Sequence, residues 1–108
     1  MIAQIKPREL ADLIANGENL YLVDVRQPWE NEHCRIANSV LIPLNELIEH
    51  MGEIDPPEGA KIVVYCHHGI RSLTGATLIQ QAGFQNVASL SGGIDAWSKQ
   101  IDPKVPLY

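Results

Sequence analysis

Seven consecutive residues, Cys66-His67-His68-Gly69-Ile70-Arg71-Ser72, carry the densest chemistry in the chain. They follow the β-branched run Ile62–Tyr65 and lead straight into a segment of helical periodicity. A cysteine at a strand end faces the N-terminus of the next helix, and short loops of this kind aim backbone N–H groups inward as an anion-binding nest. The helix dipole and Arg71 add positive potential, and such surroundings favour the nucleophilic thiolate. Gly69 supplies the backbone freedom that a tight cradle needs. The segment therefore reads as a nucleophile, Cys66, with its own anion pocket. The plainer reading is a core cysteine ending an apolar strand, since free cysteine is among the most buried residue types. Two histidines, a glycine and an arginine make a poor core and a good pocket lining, so the functional reading prevails.

The other candidate groups are weaker. His67 and His68 invite a metal site with His33, Cys34 and Cys66, but adjacent ligands are awkward and no Cys-x-x-Cys or His-x-x-x-His pair is present. No metal and no cofactor is expected. His33 and His50 read as surface residues of polar helices. Cys34 has no anion-binding context and reads as a packed or surface thiol. A Cys34–Cys66 disulfide stays open, because spacing alone supplies no distance.

Helices and strands must alternate to position this loop. Pro7 to Asn16 reads as a helix with Leu10, Leu13 and Ile14 on one face and Gly17 beyond it. Leu20 to Val25 is too short an apolar run for a helix and reads as a strand. Further helices are predicted over Pro28 to Cys34, Leu44 to Met51, Ser72 to Ala82 and Ile94 to Gln100, and further strands over Val40 to Ile42, Ile62 to Tyr65 and Val87 to Leu90. Ala3 to Lys6 adds an edge strand. This alternation predicts an α/β fold, with a mainly parallel central sheet of about five strands and helices on both faces. In such sheets, ligands bind where strands deliver their carboxyl ends into loops. That points again at residues 66–72.

Composition bounds the rest. A chain of 108 residues with 45% apolar content is read as one domain, residues 1–108, able to bury a real core without disulfide or metal. Net charge is −5 with mixed signs and no basic block, so neither disorder nor nucleic-acid binding is expected. Two cysteines make no secreted disulfide framework. The first residues turn polar too early for a signal peptide, and no apolar run approaches a membrane span. A cytoplasmic protein of a reducing compartment is the expectation.

From the helix at Pro7 to Trp97, the chain resembles the rhodanese-like family in its single-domain form. The resemblance rests on Leu22–Arg26, Pro28–His33, Ile42-Pro43, Val64–Cys66, Arg71-Ser72, Ala82–Phe84 and Leu90–Trp97, in this order and spacing. It implies a thiosulfate sulfurtransferase in which Cys66 takes up a sulfane sulfur as a persulfide. Backbone N–H groups from His67 to Ser72 would hold the outer sulfur. Arg71 would attract an anionic donor such as thiosulfate, the Ser72 hydroxyl would add a hydrogen bond, and His67, His68 and Ile70 would shape the rim. Asp24 and Arg26 match the family's strand-end pair, with Glu30 close enough to partner Arg26 in a structural network. Trp29 and Trp97 read as packing residues. The chain departs from the family pattern at Cys34–Val40, where Arg35, Asn38 and Ser39 take the usual places of histidine, glycine and alanine. Gly75 replaces a typical alanine inside the helix.

Phosphatases and arsenate reductases of the same fold carry a loop one residue longer, whereas four residues separate Cys66 from Arg71 here. A smaller cradle suits a single sulfur atom. A sulfur carrier that hands its persulfide to a partner protein, or a regulatory module, is the remaining alternative. The implied partners are a small anionic sulfur donor and an acceptor that is a thiol, cyanide or a thiolate protein. The default assembly is a monomer.

Overall fold

The computed structural model describes residues 2–108. In chain order its elements are β1 (Ala3–Ile5), α1 (Pro7–Ala15), β2 (Leu20–Asp24), α2 (Pro28–His33), β3 (Ser39–Leu41), β4 (Lys61–Tyr65), α3 (Ile70–Gln81), β5 (Val87–Leu90) and α4 (Gly93–Gln100). The strands form one sheet in the order β1-β5-β4-β2-β3, every neighbouring pair parallel. The predicted α/β class and five-stranded parallel sheet are therefore what the chain forms.

Side chains alternate across the sheet, as the two-residue period of a strand requires. Leu22, Val63, Tyr65 and Leu90 face α1 and α4, where they pack with Leu10, Ile94 and Trp97. Val23, Ile62, Val64 and Cys66 face α3 and pack with Ala76, Ile79 and Leu47. Burial on both faces explains why the strands read as nearly continuous apolar runs. Cys34 and Cys66 are both free thiols in separate cores, so the disulfide left open by the sequence is not formed.

Two of the helices share one device. Pro7 and Pro28 each occupy the first helical position, and a glutamate two residues later reaches back. Glu9 accepts from the Lys6 N–H at 3.3 Å, and Glu30 accepts from the Gln27 N–H at 2.9 Å.

The helix predicted over Leu44 to Met51 does not form. Two single turns of 3-10 helix, Leu44–Glu46 and Met51–Glu53, take its place. The apolar spacing suggested a four-residue stripe, but Ile48 is 71% exposed while Leu47 is fully buried. Leu44 and Leu47, three apart, both meet the core from the first of these turns, as side chains three apart eclipse in a 3-10 turn, and Met51 meets it from the second. α3 begins at Ile70, two residues before the predicted start, which brings Arg71 and Ser72 into its first turn.

The family departures are absorbed locally. Asn38 takes φ 65°, the left-handed conformation a glycine would supply, and asparagine is one of the few residues that does so readily. Ser39 Oγ donates to Ile36 O at 2.8 Å and shares a hydrogen bond of 2.8 Å with the Tyr65 hydroxyl. A Cβ at Gly75 would lie 3.1 Å from Val25 Cγ1 and 3.4 Å from Val64 Cγ1, so α3 sits closer to the sheet there than alanine comfortably allows.

Between β2 and α2, Arg26 is wholly buried beside Asp24, with Nη2 2.8 Å from Oδ2 and Nε 2.9 Å from Oδ1. It also donates to the carbonyls of Glu30 at 3.2 Å and Cys34 at 2.6 Å. Burial alone would lower the guanidinium pKa; its bonds to Asp24 and Tyr108 outweigh this and raise it. Removing one partner of a buried pair leaves the other charged and unpaired, which costs roughly 3–5 kcal/mol. Arg26→Met is therefore expected to destabilise the fold by about that amount in denaturant unfolding.

Candidate active site

Cys66 follows the last residue of β4 and is 1% exposed. Two N–H groups donate to its sulfur, from Gly69 at 3.1 Å and from Ser72 at 3.3 Å. The Ser72 hydroxyl lies 3.5 Å from the sulfur and shares a 2.7 Å hydrogen bond with the hydroxyl of Ser89 on β5. All three side chains are buried, so a polar line runs from β5 to the thiol. Ser89 was not singled out in the sequence. Only the β4–β5 pairing, which aligns Val64 with Ser89, brings it there.

The loop closes through its backbone. Gly69 has φ 103°, and a Cβ there would stand 3.1 Å from the Gly92 nitrogen. The first turn of α4 holds the other side, with Ile94 N–H donating to Cys66 O at 2.9 Å and Asp95 N–H to His67 O at 3.1 Å. Gly93 has φ 62°, and a Cβ on it would fall on those same carbonyl oxygens. The Gly92-Gly93 pair thus lets α4 approach the loop backbone to backbone.

The remaining loop side chains diverge. Ile70 is 78% exposed and His68 is exposed, while His67 is half-buried. The His67 ring is stacked between His68, at 3.8 Å, and Tyr108, at 3.9 Å and 7° between planes. Burial and the neighbouring His68 lower the His67 pKa. His67, His68 and Asp95 bring possible ligand atoms within 4.8 Å of one another. Stacked rings hold their in-plane lone pairs side by side rather than converging, and Asp95 is paired with Lys99 at 3.0 Å. The cluster has poor geometry for a shared metal.

Arg71 does not stand free at the loop. Its Nη1 and Nη2 donate to Glu30 Oε1 and Oε2 at 2.7 and 2.9 Å. Glu30 therefore gives its carboxylate to Arg71, and Arg26 takes only its carbonyl, which corrects the pairing expected from the sequence. The Tyr108 hydroxyl links the two, accepting from Arg26 Nη1 at 2.9 Å and donating to Glu30 Oε2 at 2.8 Å. Burial and the contact with Glu30 push Tyr108 up to about 12, so its proton stays available to donate. Tyr108 carried no signal in sequence, being 82 residues from Arg26. Trp29, expected to pack, is 62% exposed and meets only the edge of the Tyr108 ring, at 5.8 Å. Trp97 is buried as expected.

A cleft of about 350 Å³ opens elsewhere, lined by residues such as Ile14, Leu20, Ile36 and Trp97. None of residues 66–72 lines it. The arrangement at Cys66 is a thiol at the end of a strand of an α/β sheet, with two backbone N–H groups donating to its sulfur beside the N-terminus of α3.

Comparison with known proteins places it more narrowly. The profile of the Rhodanese-like domain matches residues 6–100, and the chain belongs to that family. It is 38% identical over 104 residues to the probable adenylyltransferase/sulfurtransferase MoeZ of Mycobacterium tuberculosis, covering 96% of this chain and 26% of MoeZ. It thus spans about a quarter of that relative's length. A sulfurtransferase of Allochromatium vinosum is 32% identical over 105 residues, covering 97% of this chain and 96% of its own. The crystal structure of a rhodanese-related protein from Thermoplasma volcanium superposes with TM-score 0.82 at 32% identity, over 98% of this chain and 99% of that one. The chain is a rhodanese-like sulfurtransferase homologue.

Two outcomes follow from this geometry. Gly93→Ala must push the Cys66 and His67 carbonyls aside, and a loss of about 1–3 kcal/mol in unfolding free energy is expected. Glu30 is held at about 2, below its ordinary 4.5, chiefly by the Arg71 hydrogen bonds. A lowered folded-state pKa adds stability that is complete above about 4.5 and is lost as pH falls toward about 2. Denaturation midpoints followed down this range should fall in the native protein and flatten in Glu30→Gln.

Proposed function

We propose that the protein moves a sulfane sulfur from a donor such as thiosulfate to a thiophilic acceptor through a persulfide on Cys66. The observation that carries the reading is the pair of N–H donors, Gly69 and Ser72, converging on Sγ beside the Ser72 hydroxyl. Donors fixed before reaction stabilise charge without reorganising when it develops. In the first half-reaction the Cys66 thiolate attacks the outer sulfur of thiosulfate. The S–S bond of the donor breaks, sulfite leaves with the electron pair, and Cys66 carries the extra sulfur. In the second, an acceptor thiolate or cyanide attacks that outer sulfur and the Cys66 thiolate is restored.

The rest of residues 67–72 then divides by role. Gly69 and Ser72 hold the sulfur, His67 and Arg71 are fixed by Tyr108 and Glu30, and His68 and Ile70 form the exposed rim. The rim suits acceptors from cyanide to a protein thiolate, and the match to one part of a larger adenylyltransferase/sulfurtransferase supports a protein acceptor. Among the described residues no helix is long and apolar enough to cross a membrane. Two free buried thiols suit a reducing compartment, and we place the protein in the cytoplasm.

Incubation with thiosulfate is expected to add one sulfur atom to the intact mass, and cyanide to remove it. Cys66→Ser should abolish both the mass shift and turnover with the fold retained, whereas Cys34→Ser should keep most activity. A dead Cys34→Ser variant alongside an active Cys66→Ser variant would reverse the assignment.

A further inference from the structure

We propose that Glu30 is a specificity-determining residue of the Cys66 site. By neutralising Arg71 in a fixed ion pair, it favours sulfur donors that bring at most one negative charge, alkyl persulfides, over the dianion thiosulfate. The inference rests on the sulfur-transfer reading above and narrows its donor.

The Glu30 carboxylate is 3% exposed and receives four donors: Gln27 N–H, both Arg71 Nη groups and the Tyr108 hydroxyl. A carboxylate held this way does not swing aside when a donor arrives. Arg71 is tied to it, because one N–H of each Nη group donates to a carboxylate oxygen in the fork geometry that suits guanidinium, although its side chain stays 35% exposed. The neighbouring cations are likewise engaged, Arg26 by Asp24 and Lys99 by Asp95. His67 is half-buried between two rings, and burial and the neighbouring His68 disfavour its charged form. The donor approaches a protein of net charge −5 and meets ion pairs rather than a free cation.

The N–H groups of Gly69 and Ser72 remain, and both point at Cys66 Sγ, where the incoming sulfur attaches, rather than at a separate place for a sulfonate. With an alkyl persulfide, RS–SH, the Cys66 thiolate attacks the outer sulfur. The RS–S bond breaks and RS⁻ departs with the electron pair, leaving Cys66–S–SH. No oxidant or reductant is consumed.

The test measures second-order rate constants for sulfur loading of Cys66, by intact mass, with thiosulfate and with cysteamine persulfide. Glu30→Gln is expected to raise the thiosulfate-to-persulfide ratio by about fivefold, the scale of one charge interaction across about 4 Å in water. The gain should shrink in high salt and vanish when Arg71→Ala is added. Tyr108→Phe, which keeps the ring on His67 and removes one donor from Glu30, should move the ratio the same way by less. It carries the test alone if Glu30→Gln does not fold. An unchanged or lower ratio in the folded variants, or a gain that persists without Arg71, overturns the role of Glu30. Failure of the native protein to take sulfur from either donor overturns the sulfur-transfer reading and this inference with it. Loading with an unmoved ratio overturns the inference alone.

Discussion

Arg26 is the point on which the site depends. It is a wholly buried cation, and a buried charge persists only when it is paired and its remaining donors are satisfied. Asp24 supplies the pair, and the carbonyls of Glu30 and Cys34 and the hydroxyl of Tyr108 take the other N–H groups. Those partners come from the end of β2, from α2 and from the last residue described, so satisfying one guanidinium draws three separated parts of the chain together. Glu30 is aimed at Arg71, and Tyr108 is laid on His67, as part of the same arrangement.

The Cys66 loop depends on a second closure, made from backbone. The carbonyls of Cys66 and His67 accept from the first turn of α4, which turns the intervening peptides so that other N–H groups face inward. Gly93 permits that approach, and Gly69 the left-handed turn opposite it. The shape of the loop is thus shared between the helix that follows it and one that arrives 27 residues after Cys66, at Gly93. A buried sulfur with fixed donors and a rim of exposed His68 and Ile70 combines a rigid centre with a permissive surface.

Much of this was legible in the chain before any coordinates. The β-branched runs of β2 and β4, the prolines opening α1 and α2 and the glycines beyond the helices marked alternating elements. Strand-end placement of a cysteine before a helix marked residues 66–72 as the loop between β4 and α3. These signals are local, written within a few residues by propensity and by the hydrogen-bonding needs of helix ends. The same locality explains the error over residues 44–51. A stripe of apolar residues is equally compatible with a helix and with two tight turns, and only the surface it meets decides between them.

What the sequence alone determined was the class of fold and the place of Cys66 in a loop between a strand and a helix. Tertiary structure decided the partners. Ser89 reaches the Cys66 sulfur through Ser72 because β5 pairs with β4, and Arg71 faces Glu30 because α2 and α3 meet at the carboxyl edge of the sheet. Tyr108 closes over His67 from the far end of the chain, and Trp29 is left exposed beside it. Such contacts link residues 17 to 82 positions apart, where no periodicity or propensity carries a signal. Hydrogen bonds and ion pairs act over a few ångströms, so their partners are chosen only when packing has brought the elements together.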